Sequence, residues 1–260
     1  MTDSVVRQEL SANEDGQLVR VNVYRDPWGE YTLGADGAKS YQGRTLTAAG
    51  WRECPDARTL LNCLTVPLSP RKSRLLAVAC CRRLLPLTPD VRCERAVEVA
   101  ERYADGLAGE AERLAARQAA RSAAVAYAGN RARSGDALWL LAREIRQCLD
   151  RQIEARSFIW GCLAVARATG DMAVHALECA WQADLLRHLV GNPFQPYPAP
   201  RCWPSLVVDL ARQLYAGADV RLILHDALLD AGHAELAEHF RAEEGHPKGC
   251  WALDRVLGRC

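Results

Sequence analysis

From Trp51 to Val190 apolar residues recur three or four positions apart, and glycine, proline and capping residues cut that run into helix-sized lengths. This period constrains the chain more than anything else in it. It gives each segment one apolar face, which must be buried against other helices. Pro55-Asp56 opens a short helix through Leu64, and Ser69-Pro70 is an N-cap followed by proline at the first helical position. A helix over 70–87 follows, then one starting at Thr88-Pro89 and ending at Gly106. Glu110 to Ala128 is rich in alanine and arginine and has high helix propensity. After a break at 129–135, Leu138, Leu141, Ile145, Cys148, Ile153, Ile159, Leu163 and Ala166 predict one long helix from Ala137 to Ala168. Met172 to Val190 is a further helix after Gly170-Asp171.

The two ends differ from this middle. In Gln17–Tyr24 the period is two, with Val19, Val21 and Val23 on one face, and strand character resumes at Glu30–Leu33 after Asp26-Pro27-Trp28-Gly29. The expectation is a β-hairpin, with a third short strand near Ser40–Thr45. Gly191–Trp203 holds four prolines, which exclude helix and sheet interior, and its aromatic residues mark an ordered loop. Amphipathic helices are expected at 204–215, 219–230, 234–241 and 250–257. The fold class is therefore mainly α, with three parts: an N-terminal hairpin segment (1–47), a helical body (48–190), and a C-terminal helical module (191–260) packed on the body as one unit.

Composition narrows the function classes. The 260 residues carry a net charge of +1, which argues against a polycation that binds nucleic acid through the whole molecule. Mean hydropathy is −0.17 and no apolar run reaches the length of a membrane span. The start shows no secretory signal pattern, so a cytoplasmic, bacterial protein without membrane attachment is expected. Of 33 basic residues three are lysines (Lys39, Lys72 and Lys248), which fits a GC-rich genome. None of the eleven cysteines forms a Cys-x-x-Cys pair, so they read as free thiols acting as small hydrophobes. Cys80-Cys81-Arg82-Arg83 reads the same way, as core thiols beside solvent-facing arginines.

Two clusters could carry chemistry. Arg113, Arg117, Arg121, Arg131 and Arg133 form a basic stretch, the first three spaced by four on one helix face. A phosphate-tracking stripe would use this pattern, but few aromatics lie near it for base stacking, so nucleic acid is not the expected partner. His239, His246 and Cys250 have donor types that suit zinc, with His233 or Cys260 as a fourth ligand. Their spacing matches no standard zinc finger. The competing reading makes His246 and Cys250 turn residues before a buried Trp251, with unusual backbone angles at Gly245 and Gly249, and no cofactor. Signatures for nucleotide binding, serine hydrolysis and zinc peptidases are missing.

Several strings resemble a large paralogous family of uncharacterised planctomycete proteins, whose members occur alone or joined to small repeat-companion modules. They are Trp51-Arg-Glu-Cys54, Leu75 to Arg83, Arg95 to Gly106, Gly191-Asn-Pro-Phe194 and His246-Pro-Lys-Gly-Cys-Trp251 with Asp254 and Leu257-Gly258. The resemblance covers about residues 51 to 260 and brings no activity with it. Many members carry a cysteine where Phe240 stands here, which counts against a metal site. On these grounds the chain is expected to be a non-enzymatic protein–protein interaction module that contacts another protein through Trp28, Phe194 and Tyr197. Metal binding through His239, His246 and Cys250, or nucleic-acid binding through Arg113–Arg133, is the alternative.

Overall fold

The structure is a computed structural model that describes residues 5–12, 18–26, 29–33, 39–40, 46–64, 66–129, 136–198, 200–243 and 245–259. It is 66% helical, with twelve α-helices among these residues and a small antiparallel sheet at the N-terminus. The mainly α fold with an N-terminal hairpin element is thus what the chain forms.

The sheet order is β1-β2-β3-β4, with β1 at Val5–Ala12, β2 at Leu18–Asp26, β3 at Gly29–Leu33 and β4 at Lys39–Ser40. The hairpin is β2–β3, closed with Asp26 opposite Gly29, and β4 is the third short strand. Trp28 and most of the segment 40–45 lie outside the described residues. Strand β1 has no counterpart in the sequence reading. Its Val5, Val6, Arg7 and Gln8 are exposed, so no buried face imposes an apolar alternation. The sheet joins the body through Tyr31, which is fully buried, stacks on Tyr24 at 5.5 Å and belongs to the same apolar cluster as Leu46.

Helices α1 (Ala48–Glu53) and α2 (Ala57–Cys63) lead into α3 (Pro70–Leu84), α4 (Val91–Ala104) and α5 (Glu110–Gly129). Then come α6 (Ala137–Gln147), α7 (Ala155–Ala168) and α8 (Met172–Val190). Past the proline-rich loop lie α9 (Ser205–Tyr215), α10 (Arg221–Asp230), α11 (Ala234–Ala242) and α12 (Trp251–Leu257). Thr47, Asp56, Ser69, Asp90, Asp136 and Asp171 each accept a backbone N–H at a helix start, so the starts are written in local chemistry.

The long helix expected over 137–168 is two helices, and tertiary contacts explain the break. Residues 148–154 contain neither glycine nor proline. Arg74, on α3, donates to the carbonyls of Cys148, Asp150 (2.9 Å) and Arg151 (3.2 Å). Arg113, on α5, donates to the carbonyl of Leu149. Both arginines are 4% exposed. The carbonyls that a continuing helix would use are bound by two guanidinium groups, so the chain turns and α7 packs back on α6. This also corrects the reading of the basic stretch. Arg113 is buried and also pairs with Glu110, Arg117 pairs with Asp150 at 2.6 Å, and Arg131 and Arg133 lie outside the described residues.

Buried apolar side chains form two clusters, one built by Tyr31, Leu46 and α1–α8, the other by α9–α12 and the segment leading into α12. Cys80 and Cys81 are buried in the first, where their pKa values are raised well above that of a free thiol, Cys80 chiefly by a contact with Cys162 and Cys81 chiefly by burial. Polar bonds cross between the clusters. Arg71 binds Asp105, Asp254 and the Tyr215 hydroxyl, Lys248 binds Glu101, and the Trp51 indole N–H donates to the Gly191 carbonyl at 2.9 Å.

Glu144 is a buried carboxyl in this core, 1% exposed, with Oε2 lacking a partner among the described residues. Gly161 on α7 makes room for it, since a Cβ there would fall 2.2 Å from its carboxyl carbon. Burial pushes its pKa up to about 7 from an ordinary 4.5, against the pull of Arg143. The folded protein therefore keeps this proton between those two pH values while the unfolded chain has lost it, and stability falls as pH rises through that window. Glu144→Gln is expected to flatten this loss and to make the protein more stable than wild type at pH 8, by about 1–3 kcal/mol. Urea unfolding of both proteins at pH 5 and pH 8 checks this, and parallel curves would contradict it.

Candidate metal centre

Three donor side chains, His188, His239 and Cys250, meet where the two clusters touch, and a fourth, His246, lies beside Cys250. His188 sits in the last turn of α8, in the body. His239 is on α11, and Cys250 is the residue before α12. His246 lies in the segment between those helices. One ligand atom from each of His188, His239 and Cys250 lies within 4.8 Å of the other two. His239 Nε2 is 3.2 Å from Cys250 Sγ, and His246 Nδ1 is 3.8 Å from the same sulfur. The His239 and His246 rings are 5.0 Å apart between centroids, and His188 is 5.8 Å from the first and 6.5 Å from the second. A tetrahedral zinc ion with ordinary Zn–N and Zn–S bonds separates its donors by roughly 3.4–3.6 Å, so the sulfur–nitrogen distances bracket that edge.

Local backbone chemistry brings the donors together. Gly249 has φ +87°, and a Cβ there would lie 2.9 Å from both Leu75 and Leu189. Glycine lets the turn before Cys250 press against α3 and α8, and carries the sulfur to the end of α8. Gly191 has φ +76°, and Trp251 occupies the space a Cβ would take. The expected special angle is therefore present at Gly249 but not at Gly245, which has no positive φ. Trp251 is half-buried rather than buried.

Hydrogen bonds satisfy only part of this cluster. His188 Nδ1 and His246 Nε2 are buried and have no hydrogen-bond partner among the described residues. Such a nitrogen costs about 1–3 kcal/mol when left unmade. His188 Nε2 lies 3.5 Å from Glu243 Oε2. A carboxylate at this position resembles the one that commonly stands behind a metal-ligating histidine. Burial, then neighbouring imidazoles, holds His239 at a pKa of about 3. Burial, then His188 and Arg221, holds His246 at about 4 against a backbone hydrogen bond with Glu243. Both rings are neutral at pH 7, the form that binds metal. Burial raises Cys250 to about 11, so it is a thiol until a cation favours the thiolate.

Of the ligands read from the sequence, His239 and Cys250 converge, and His246 lies beside Cys250. His233 does not join them. It bonds the Tyr197 hydroxyl at 2.7 Å and packs on Trp203. Cys260 lies outside the described residues. The added donor is His188, which the sequence reading missed. It stands across the whole proline-rich loop from the others, in a helix whose pattern speaks of core packing. The partner-contact residues part company. Phe194 is 43% exposed, Tyr197 is half-buried with its hydroxyl used internally, and Trp28 is not among the described residues. His188 and His239 also line a groove of 690 Å³ with Trp51, Arg187, Glu243 and Trp251. No helix among the described residues is long and apolar enough to cross a membrane. Comparison with family models, curated proteins and solved structures found no match for this chain.

Proposed function

We propose that this is a zinc-binding helical protein in which the metal staples the C-terminal module to the body, and that the stapled molecule works as a binding module for another protein rather than as an enzyme. The observation that carries this reading is the convergence of His188, His239 and Cys250 within 4.8 Å of one another, with His246 beside Cys250, and with His188 Nδ1 and His246 Nε2 buried and without a hydrogen-bond partner among the described residues. Three imidazoles and one thiolate are a donor set that favours zinc over the hard cations magnesium and calcium. With His246 drawn in as the fourth donor, no coordination position would be left for a substrate or a reactive water, which makes the metal's task structural. It would hold His188 on α8 to three residues of the second cluster and fix the angle at which the proline-rich loop, with Phe194 at its surface, faces a partner.

Elemental analysis of the purified protein tests the metal. The expected result is one zinc per chain, retained through dialysis and lost in His188→Ala and in Cys250→Ser. His188→Ala is the sharper variant, because His188 is far from the other three in sequence and has no local role in their turn. A wild-type chain without stoichiometric metal after incubation with zinc would refute the reading.

A further inference from the structure

We infer that two copies of this chain associate through the outer edge of β1, pairing antiparallel about Gln8 to make one continuous sheet. Among the described residues no strand pairs with β1 on the side away from β2. Its backbone donors and acceptors on that side are a template for another strand. The edge is eight residues long, contains no proline or lysine, and is exposed at Val5, Val6, Arg7 and Gln8. Its pairing with β2 is regular from Arg7 to Ala12, and the irregularity lies between Val5 and Arg7, outside the proposed centre. Among the described side chains of the sheet, Tyr31 and Tyr24 join the body's apolar cluster, and a small sheet gains from further strands.

The charge pattern selects the occupant and the direction. Arg7, Gln8 and Glu9 read plus, neutral, minus, and Arg7 and Glu9 share a face. Laid antiparallel on a copy of itself about Gln8, this triplet sets Arg7 opposite Glu9 of the partner subunit, and Glu9 opposite Arg7 of the partner subunit. Laid parallel in register, it sets like charges against each other, which disfavours that arrangement. Arg7 already pairs within the chain with Glu30 at 2.6 Å and Glu9 at 3.5 Å. A guanidinium has five N–H donors, so it can hold these and a further carboxylate across the edge. The pairing is isologous and closes on itself. The opposite edge, β4, is two residues long, so the sheet stops at a dimer.

Sedimentation of the full chain tests this with charge exchange. Wild type is expected to show a concentration-dependent dimer. Arg7→Glu alone and Glu9→Arg alone are each expected to be monomeric, because each sets like charges together twice. An equimolar mixture of the two variants is expected to recover the dimer, since each chain then supplies the charge the other needs. A local folding defect in either variant would not be repaired by mixing. Amide hydrogen exchange of wild type gives a second reading without any variant: protection over residues 5–12 should rise as the protein is concentrated. A monomer at all concentrations, a dimer indifferent to both substitutions, a mixture that stays monomeric, or protection unchanged with concentration would each overturn the proposal.

Discussion

A strong chelator is expected to lower the melting temperature of the zinc-loaded protein more than any single substitution in its core, and added zinc to restore it. Structural zinc in small domains binds with about 10–16 kcal/mol of apparent free energy, which becomes folding free energy when the unfolded chain lacks the site. Here each cluster has its own apolar core, so part of the fold stands without metal. Even a third of that figure is a large fraction of the total stability of an ordinary domain, about 5–15 kcal/mol. The other bonds between the clusters do not offset such a loss. Arg71 with Asp105 and Asp254 is a buried ionic set, and such sets come close to cancelling their own desolvation. Lys248–Glu101 is partly solvated and contributes about 1 kcal/mol or less. A calorimetric scan with and without chelator checks this. The second cluster, α9–α12, is expected to melt first in the chelated sample. Superimposable scans would mean that packing alone holds the His/Cys cluster.

Arg74→Met is expected to cost about 2–5 kcal/mol, because it leaves backbone carbonyls that accepted from a charged group unpaired in the core, at about 1–3 kcal/mol for each that stays buried. Arg74 satisfies three carbonyls at the turn between α6 and α7 and lies over the Tyr103 ring at 4.9 Å. Methionine keeps the volume and leaves those carbonyls unpaired inside the core. Arg117→Met, at a pair about one third exposed, is the contrast and is expected to cost under about 1 kcal/mol. Urea unfolding of the two variants measures the difference. Equal costs would show that the turn at 148–154 holds without Arg74. The same argument applies to Arg113, which reaches the neighbouring carbonyl of Leu149 from α5.

The candidate site divides along the same line. His239, His246 and Cys250 stood out in the sequence because they lie within twelve residues, close enough for spacing to raise the question of a metal. Spacing could not answer it. What bears on it is His188, together with two imidazole nitrogens that lack partners among the described residues, and these are properties of side chains packed together rather than of residues in order. The absence of a thiol at position 240 counted against a metal while the fourth donor was sought nearby. Under the proposed site the body supplies that donor and the argument lapses; Phe240 is a fully buried side chain of the second cluster.

What the sequence determined by itself is the helical architecture and its punctuation. Apolar spacing of three to four residues selects helices, and Ser69, Asp90, Asp136 and Asp171 begin them through bonds to their own next residues. Those forces act within one turn of chain, so they are legible in one dimension. The period of two at 19–23, followed by a turn and renewed strand character at 30–33, marked the hairpin for the same reason. Tertiary structure decided what depends on partners remote in sequence. It ended α6 with guanidinium groups from α3 and α5, and it held β1 by backbone pairing to β2 without an apolar pattern of its own. It also set His188 beside three donors from beyond the proline-rich loop. Each of these rests on hydrogen-bonding or ligating atoms that meet when separate elements pack, and a linear pattern records an element's own buried face but not the groups that other elements bring to it.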